Sequence, residues 1–312
     1  MKPLILITGP TGSGKSDLSV ALAKKLNTEI ISADSVQVYR GFTIGSGKIT
    51  PQETEGIVHH LIDIKDPDEF YSAADFYEAA APIFLDLWRA GKIPIVCGGT
   101  ALYIHSLIYD LDFSEKPSTE LRNKLNSLYN RRGLEYMVAL LKDKDPGLAE
   151  AVDLNNPRRV IRALERIESG HVETEQLRKK REGIDPLYIV LDWEREALYG
   201  RINRRVLQMV EAGLFEEVEA LYKAYGDEVK PMGSIGYKEI VKYIKEEWDE
   251  ATAIEKIQQH SRNFAKRQMT WFRKEEDAVF IPMSEMTKDA ALEKILELER
   301  EKYGTDRGFK GN

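Results

Sequence analysis

Eight residues near the start of the chain combine glycines, a lysine and a serine at a spacing that suits phosphate binding. They match the P-loop pattern, in which glycines let backbone N–H groups surround a polyphosphate at the positive end of a helix dipole. The lysine adds a cation, and the final serine hydroxyl is placed to bind a Mg²⁺ ion carried by the ligand. The motif predicts a diphosphate or triphosphate site and leaves the reaction open. Its members are Gly9, Pro10, Thr11, Gly12, Ser13, Gly14, Lys15 and Ser16.

Two other loops are expected at the same edge of the sheet as the phosphate loop. The apolar run at 29–33 is followed by Asp34, and the run at 93–97 is followed by Gly98-Gly-Thr100. Because ligands of open α/β sheets bind beyond the carboxyl ends of the strands, a carboxylate and a hydroxyl are expected beside the phosphate. Asp34 is able to hold Mg²⁺, accept a proton or cap the next helix, and its position alone leaves these roles open.

The ends of the first three predicted strands lack a feature that is typical of ATPases. None of them carries the acidic pair that holds the metal and orients the attacking water. Asp63 and Asp192 follow apolar residues and are only weak candidates for that role. This pattern disfavours a molecular motor or switch.

Arginines recur at one-turn spacing along a predicted helix in the middle of the chain. Asn156-Pro157 is an N-cap and first-turn pair, after which Arg158, Arg162 and Arg166 fall at i, i+4 and i+8, with Arg159 alongside. Such a helix packs its apolar face and presents guanidinium groups on the other. Two interpretations stay open: a solvated face with salt bridges, or phosphate contacts with RNA.

Basic residues also line two later helices. Arg201 and Arg205 lie one turn apart, with Arg204 beside them, so they can reach the same anion or pair with neighbouring glutamates. A further helix presents one polar face, made of Lys256, His260, Asn263 and Arg267. Two basic faces in a protein with a phosphate loop put RNA on equal terms with the solvated-face interpretation.

Short apolar runs that alternate with helical patterns indicate a parallel, doubly wound sheet. The predicted strands are Pro3–Thr8, Glu29–Ala33, Ile93–Cys97 and Leu187–Leu191. We therefore predict an α/β protein with a P-loop NTPase-like parallel sheet, a helical insertion and a helical C-terminal part. The predicted divisions are an α/β core at 1–110 and 187–280, a helical insertion at 111–186, and a C-terminal tail at 281–312.

Composition limits the class of protein. At 312 residues the chain can bury a large core, and its net charge of -7 disfavours a globally basic nucleic-acid binder while allowing local basic patches. The single cysteine, Cys97, excludes an internal disulfide and a multi-cysteine zinc site, and we expect it to be an inert core thiol. The apolar run at 4–7 is too short for a signal peptide or membrane span, so we expect a cytoplasmic protein with no membrane partner.

Taken together, segments spread from about residue 3 to residue 273 resemble the tRNA dimethylallyltransferase (tRNA isopentenyltransferase) family. One stretch departs from the family, because Gly45-Ser-Gly-Lys-Ile49 stands where Gly-Thr-Ala-Lys-Pro is usual. The matching segments are Gly9-Pro-Thr-Gly-Ser-Gly-Lys-Ser16, Asp34-Ser-Val-Gln-Val-Tyr39, His60-Leu-Ile-Asp63, Tyr71-Ser-Ala-Ala-Asp-Phe76, Gly98-Gly-Thr-Ala-Leu-Tyr103, Asn156-Pro-Arg-Arg159 and Ala265-Lys-Arg-Gln-Met-Thr-Trp-Phe-Arg273.

The resemblance implies transfer of a dimethylallyl group from dimethylallyl diphosphate to the exocyclic amine of adenine 37, in tRNAs that read codons beginning with U. The phosphate loop then holds a diphosphate leaving group instead of ATP, Mg²⁺ is the cofactor, and the tRNA anticodon stem-loop is the partner of a monomeric enzyme. The implied catalytic residues are Asp34 as general base, Thr100, Lys15 and Arg205, the last two also binding diphosphate. The implied tRNA contacts are Asp34, Ser35, Val36, Gln37, Thr100, Arg122, Arg158, Arg159, Val160, Ile161, Arg162 and Arg267.

Two other classes of protein remain as alternatives. A small-molecule kinase would use the same loop for ATP, with Asp34 activating a hydroxyl group, but it gives no reason for the arginine-rich helices. A non-catalytic RNA-binding protein with a vestigial phosphate loop is disfavoured because Lys15, Ser16 and Asp34 are all present.

Overall fold

The structure, a computed structural model, describes residues 1–111, 119–169 and 179–304. The chain divides into two compact units. The first unit comprises Met1–Ile108 and Arg181–Asn312, and the second comprises Tyr109–Lys180. The second unit is therefore inserted into the sequence of the first.

A six-stranded parallel sheet forms the centre of the first unit, in the order β3-β2-β4-β1-β5-β6. The strands are β1 Lys2–Thr8, β2 Ile30–Ser32, β3 His59–His60, β4 Ile95–Cys97, β5 Ile184–Asp192 and β6 Ala278–Pro282. Cys97 is in register with Ile7 of β1 and with Ser32 of β2. Because these three strands end side by side, the loops that follow them leave the sheet together.

The sheet is buried on both faces. Ile5 and Ile7 of β1 belong to a core cluster that also contains residues of the first and last helices, while Leu4 and Leu6 on the other face are also fully buried. Side chains alternate between the faces of a strand, so helices must cover both sides. This explains why β1 is an unbroken apolar run.

The helices of the described residues account for most of the remaining structure. In chain order they are α1 Lys15–Leu26, α2 Ala73–Arg89, α3 Ala101–Ile108, α4 Thr119–Lys144, α5 Pro146–Ala151, α6 Pro157–Glu168, α7 Arg195–Glu211, α8 Leu214–Tyr225, α9 Tyr237–Ile244, α10 Glu250–Phe272 and α11 Lys288–Tyr303. Only α4, α5 and α6 belong to the second unit.

The second unit has an apolar core of its own. Leu125 and Met137 of α4 pack with Val160 and Leu164 of α6 in one buried cluster. The N-cap predicted at the start of α6 is confirmed, since the Asn156 side chain accepts hydrogen bonds from the next two backbone N–H groups of the helix. Helix α4 contains one break, at a glycine with positive φ.

The predicted parallel α/β fold is confirmed, but the elements near the C-terminus differ from the prediction. The units divide after Ile108 and after Lys180, instead of after 110 and 186. Residues 281–303 are part of the first unit instead of a separate tail: Ile281 lies in β6, and Ile295 of α11 is fully buried. The apolar stripe of α11 is the sequence feature from which this packed helix was predictable. No helix within 1–111, 119–169 or 179–304 has the length and apolar character needed to cross a membrane.

Candidate active site

The phosphate loop leads directly from β1 into α1. Gly14 is the N-cap of α1 and Lys15 is its first residue, so unpaired N–H groups of the helix start lie within the loop. Gly9 passes close to the neighbouring strand, where an added Cβ would lie 2.9 Å from the carbonyl oxygen of Leu191. Only glycine permits this path. The local geometry is therefore that of an anion-binding loop.

Side chains from the β5–α7 region brace the outside of the loop. The Trp193 indole N–H donates to the carbonyl of Ser13 at 2.9 Å, and the Arg201 Nε donates to the carbonyl of Gly12 at 2.9 Å. The Arg201 guanidinium also lies over the Trp193 ring, 4.3 Å from its centroid. Two loop carbonyl groups that would repel an anion are thus already hydrogen-bonded to donors. Arg201 binds the loop from its outer side.

Gln268 of α10 joins the phosphate loop to the loop that follows β4. Its Oε1 accepts a hydrogen bond from the Thr11 backbone N–H at 2.9 Å, and its Nε2 donates to the carbonyl of Gly99 at 2.9 Å. No role was predicted for this residue from the sequence. Its position between the buried residues Ala265 and Phe272 was the available signal, because a polar side chain on the apolar stripe of a helix needs a partner.

Lys15 is held by the loop itself. Its Nζ donates to the carbonyl oxygens of Gly9 at 3.0 Å and Pro10 at 2.8 Å. Burial lowers the pKa of Lys15 to about 8, with smaller contributions of both signs from neighbouring charged groups. An incoming anion would raise this pKa again, because it stabilises the charged form. Burial also raises the pKa of the nearby Cys97 thiol, whose residue is half-buried against the apolar core of the sheet.

Arg205 provides a second cation near the loop. Within the described residues its guanidinium makes no hydrogen bond or ion pair. Burial lowers its pKa, against the attraction of Asp34 and Asp17, but a guanidinium stays charged. A Cβ added to Gly47, where φ is +60°, would lie 1.8 Å from the Arg205 Nη2. Arg205 thus packs directly on the Gly47 backbone, with donors available to an anion.

The carboxylate of Asp34 has a fixed orientation. Its Oδ1 accepts hydrogen bonds from the backbone N–H groups of Val36 at 2.8 Å and Gln37 at 3.2 Å. Residues 35–38 form a turn and not a helix, so the capping role that the sequence left open is that of a turn cap instead of a helix cap. It occupies one oxygen only, since Oδ2 has no hydrogen bond to any residue that the structure describes. The charge of Asp34 acts on both Lys15 and Arg205, which places the three groups in one site.

Thr100 links the loop after β4 to the loop that carries Asp34. Its Oγ1 accepts a hydrogen bond from the Ser35 backbone N–H at 3.1 Å and approaches the Ser35 hydroxyl at 3.4 Å. The Gln37 amide is also engaged, because its Oε1 accepts from Ser32 and its Nε2 donates to the Gly47 carbonyl at 3.2 Å. These contacts fix the backbone on either side of Asp34.

Glu217 of α8 holds the loop that contains Gly47. Its carboxylate accepts hydrogen bonds from three successive backbone N–H groups, at Thr43, Ile44 and Gly45, and from the Tyr237 hydroxyl at 2.8 Å. From the sequence, the glutamates near Arg201 and Arg205 were expected only to form ion pairs with these arginines. The observed role of Glu217 is to cap a loop that supports Arg205.

The donor set near Ser16 suits a metal that is bound mainly by the ligand. No group of three or more His, Cys, Asp or Glu side chains in the described residues could hold a metal ion. The Ser16 hydroxyl lies in the first turn of α1 and has no hydrogen-bond partner within those residues. Mg²⁺ commonly takes few protein ligands together with phosphate oxygens and water, so Ser16 and a bound diphosphate fit its chemistry.

The second unit carries most of the arginines expected to contact tRNA. Arg158, Arg159 and Arg162 are exposed on α6. Val160 and Ile161, proposed with them as tRNA contacts, are 0% and 8% exposed because they face the core of the unit. Their side chains are therefore part of the packed stripe and do not lie on the arginine-bearing surface.

Arg267 lies on the exposed face of α10, next to Gln268. Its guanidinium lies over the exposed Phe264 ring, 5.7 Å from the centroid. The neighbouring His260, placed on the same polar face by the sequence analysis, bonds through Nδ1 to the buried carboxylate of Glu239 at 2.6 Å. One member of that face is thus tied to α9, while Arg267 remains at the surface.

Comparisons with known proteins show which family this chain resembles. The IPP transferase family model matches residues 37–275. The tRNA dimethylallyltransferase of Macrococcus caseolyticus is 45% identical over 296 residues, which cover 94% of this chain and 95% of that protein. The full-length tRNA isopentenylpyrophosphate transferase of Bacillus halodurans has a TM-score of 0.74 and 39% identity over 97% of both chains.

A third similarity is to a protein that acts on RNA. A eukaryotic dimethylallyltransferase acting on tRNA has a TM-score of 0.83 and 29% identity, covering 100% of this chain and 82% of that chain. The kinase alternative finds no support among these relatives. The phosphate loop with its adjacent carboxylate, the extent of the family match and the coverage of the relatives lead to one conclusion: this chain belongs to the IPP transferase family.

Proposed function

We propose that this chain transfers a dimethylallyl group from dimethylallyl diphosphate to N6 of adenine 37 in tRNA. The observation that carries the proposal is one site that joins a phosphate loop, two cations and a carboxylate with a free oxygen. Lys15 is bonded only to backbone carbonyls, and Arg205 has no ion pair among the described residues. Asp34 uses a single oxygen for its turn. Such a site is able to stabilise a departing diphosphate and to accept a proton.

The cations serve the leaving group. As the N6 lone pair attacks C1 of the dimethylallyl group, the C1–O bond breaks and its electron pair remains on the diphosphate. Lys15, Arg205 and the N–H groups at the start of α1 neutralise the charge that develops there. The hydrogen bonds of Trp193 and Arg201 hold the phosphate loop, and Arg205 packs on Gly47. These groups are therefore in position before the ligand binds.

Asp34 serves the nucleophile. The exocyclic amine of adenine is weakly nucleophilic and must lose a proton as the new C–N bond forms. The Oδ2 of Asp34 accepts this proton, while the two backbone hydrogen bonds to Oδ1 keep the carboxylate aimed in one direction. Thr100 supports this arrangement through the Ser35 backbone.

The adenine must leave its stack to reach this site, because its amine is otherwise inaccessible. Ser35, Val36 and Gln37 flank Asp34 and would line the nucleotide pocket. Arg267 and the arginines of the second unit would contact tRNA phosphates, which accounts for basic faces on a protein whose net charge is -7.

Mg²⁺ is the proposed cofactor. Ser16 and the diphosphate oxygens would hold the ion, which when bound supplies additional positive charge to the leaving group. We further propose that the protein acts as a monomer in the cytoplasm, where a tRNA substrate would be found.

The test is incubation of the purified chain with labelled dimethylallyl diphosphate and unmodified tRNA, followed by nucleoside analysis. We expect label in N6-(dimethylallyl)adenosine and release of one diphosphate for each group transferred. A parallel incubation with ATP and without RNA should consume no ATP. Absence of labelled nucleoside, or steady ATP consumption, would falsify the proposal.

A further inference from the structure

Glu165 is the most deeply buried acid next to the arginines of the second unit. It lies on α6 and is 2% exposed. Its Oε1 accepts a hydrogen bond from the Nε of Arg122 at 2.7 Å, and its Oε2 accepts one from the Arg122 Nη2 at 3.1 Å. The same Oε2 accepts a hydrogen bond from the Nη1 of Arg162 at 3.1 Å. One carboxylate therefore binds two arginines from two helices.

The two arginines keep donors for an external ligand. Their side chains are 41% and 49% exposed, against 2% for the carboxylate between them. Within the described residues, no hydrogen bond occupies the Nη1 of Arg122 or the Nε and Nη2 of Arg162. The three groups together carry one net positive charge, and the exposed side chains of the cluster are those of the two arginines.

The electrostatics favour a permanently charged cluster. Burial alone would raise the pKa of Glu165, but the hydrogen bonds from Arg122 and Arg162 outweigh it and hold this pKa below its ordinary value. The pairing also raises the pKa of Arg122 through the same hydrogen bonds. Glu165 is therefore ionised at neutral pH, where its ion pairs with both arginines are present.

Glu165 lies on the same side of α6 as other arginines of the helix. Arg158 lies one turn before Arg162, and Arg162 lies three residues before Glu165, so all three share one side of the helix. Free arginine side chains sample many rotamers and lose this freedom on binding. A bidentate carboxylate removes most of that freedom in advance, because it fixes the plane of the guanidinium.

We infer that Glu165 is a positioning residue for RNA binding: it orients the guanidinium groups of Arg122 and Arg162 so that both can contact phosphates of the bound tRNA. This inference rests on the proposed function, since it assigns the exposed arginines to a tRNA ligand. Glu165 itself does not touch the RNA and acts only through the two arginines.

The test uses the sign of the expected effect. Glu165→Gln keeps the shape of the side chain and removes one negative charge. If Glu165 merely reduced the positive charge of this surface, its loss would strengthen RNA binding. If it positions the arginines, its loss weakens tRNA binding about tenfold, the factor that corresponds to one poorly placed charged hydrogen bond. The KM for tRNA should rise by the same factor, with kcat and the KM for dimethylallyl diphosphate unchanged.

Glu168→Gln is the matched control. Glu168 lies one turn later on α6 and pairs with Lys144 at 3.5 Å, so this variant removes the same charge from the same helix without removing a bond to Arg122 or Arg162. We expect it to leave tRNA binding unchanged or slightly stronger. Equal affinities for the two variants, or stronger binding by Glu165→Gln, would overturn the inference.

Two further variants separate positioning from folding. Arg122→Lys keeps the charge and Glu165 but loses the bidentate bond, and it should weaken tRNA binding severalfold at an unchanged thermal transition. In a chain with Arg122→Ala and Arg162→Ala, adding Glu165→Gln should cause no further loss, whereas an undiminished tenfold loss would overturn the inference. The unsubstituted chain is measured in every assay as the reference. If it neither binds tRNA nor transfers the label, the proposed function has failed, and if it does both, only the role of Glu165 is under test.

Discussion

The first unit presents Lys15 and Arg205 without a carboxylate partner among the described residues, whereas in the second unit Arg122 and Arg162 share the carboxylate of Glu165. In the first unit, backbone geometry does the positioning: carbonyl groups hold Lys15, and Gly47 gives Arg205 its place. A helix surface has no free backbone groups of this kind, so a side chain must do the same task.

This difference follows from what each unit binds in the proposed function. A diphosphate leaving group is small and gains charge during the reaction, so its cations must be fixed and not neutralised by an acid. An RNA backbone is extended and its charge does not change. A shared carboxylate reduces the net charge of the arginine pair but orders it, which suits recognition better than catalysis.

The largest effect is expected from Asp34→Asn, which tests the first unit. Asn keeps an Oδ1 that accepts the turn hydrogen bonds from Val36 and Gln37 but cannot accept a proton. Turnover should fall by about 10²- to 10⁴-fold, the range for loss of a general base, while diphosphate binding stays nearly unchanged. Single-turnover transfer and equilibrium binding measure the two quantities. Undiminished transfer would remove Asp34 as the base.

The second largest effect is expected from Lys15→Ala. This variant should reduce kcat/KM for dimethylallyl diphosphate by about 10²- to 10³-fold, because one charge is lost in both the ground and the transition state. Lys24→Ala is the control, since Lys24 is an exposed residue of α1 that pairs with Glu55. Steady-state kinetics at saturating tRNA give the comparison. Similar kinetics for the two variants would contradict the assignment of the phosphate loop.

Gly47→Ala tests whether the backbone positions Arg205. The added Cβ would displace the guanidinium, and we expect about a tenfold higher KM for the diphosphate substrate, the equivalent of one weakened charged hydrogen bond. Gly56→Ala is the matched control, because Gly56 also has a positive φ but no atom within 4 Å of an added Cβ. If both variants behave alike, backbone strain and not Arg205 explains the effect.

Arg158→Ala combined with Arg159→Ala tests the second unit. Both side chains are exposed on α6, and their removal should weaken tRNA binding severalfold. The slope of log K against log salt should fall by about 1 for each phosphate that the variant no longer neutralises. Arg131→Ala is a control from α4, nine residues and therefore half a turn in phase from Arg122. Altered diphosphate kinetics with unchanged tRNA binding would show that this face has another role.

The smallest expected effect is the uptake of protons when diphosphate binds. The pKa of Lys15 is lowered to about 8 in the free protein, so a growing fraction is neutral as the pH rises through 8. Bound diphosphate raises this pKa, and binding at pH 8 to 9 should therefore take up a fraction of a proton and weaken with rising pH. Calorimetry in buffers of different ionisation enthalpy measures the uptake. It should disappear in Lys15→Ala and persist in Lys24→Ala.

Much of the first unit was predictable because its signals are local. The apolar runs predicted β1, β2, β4 and β5. The residue types at fixed spacing in the loop after β1 predicted a phosphate-binding site. The two-residue strand β3 was not predictable, since it is too short to show a pattern. The polar partners were harder still: Gln268, Glu217 and Glu165 act on residues far away in sequence.

Two of these three residues nevertheless share one local feature. Glu165 and Gln268 are polar positions that lie on the buried side of an amphipathic helix, and the periodicity that predicts the helix also marks them as exceptions. Periodicity identifies such residues but not their partners, because a partner depends on how distant elements pack. Val160 and Ile161 are the opposite case. The family resemblance implied tRNA contacts for them, whereas their apolar side chains favour burial, and both residues are buried in the structure.

The bond between Thr11 and Gln268 spans 257 positions of the chain. A ribosome that has synthesised the first strand, the loop and the first helix has therefore made every residue of the phosphate motif but not its final form. The loop must wait for β5 and then for α10, which emerge only after the whole insertion has been translated. A nascent chain of this protein is thus expected to acquire affinity for its allylic ligand late, at nearly the moment when the complete fold becomes possible.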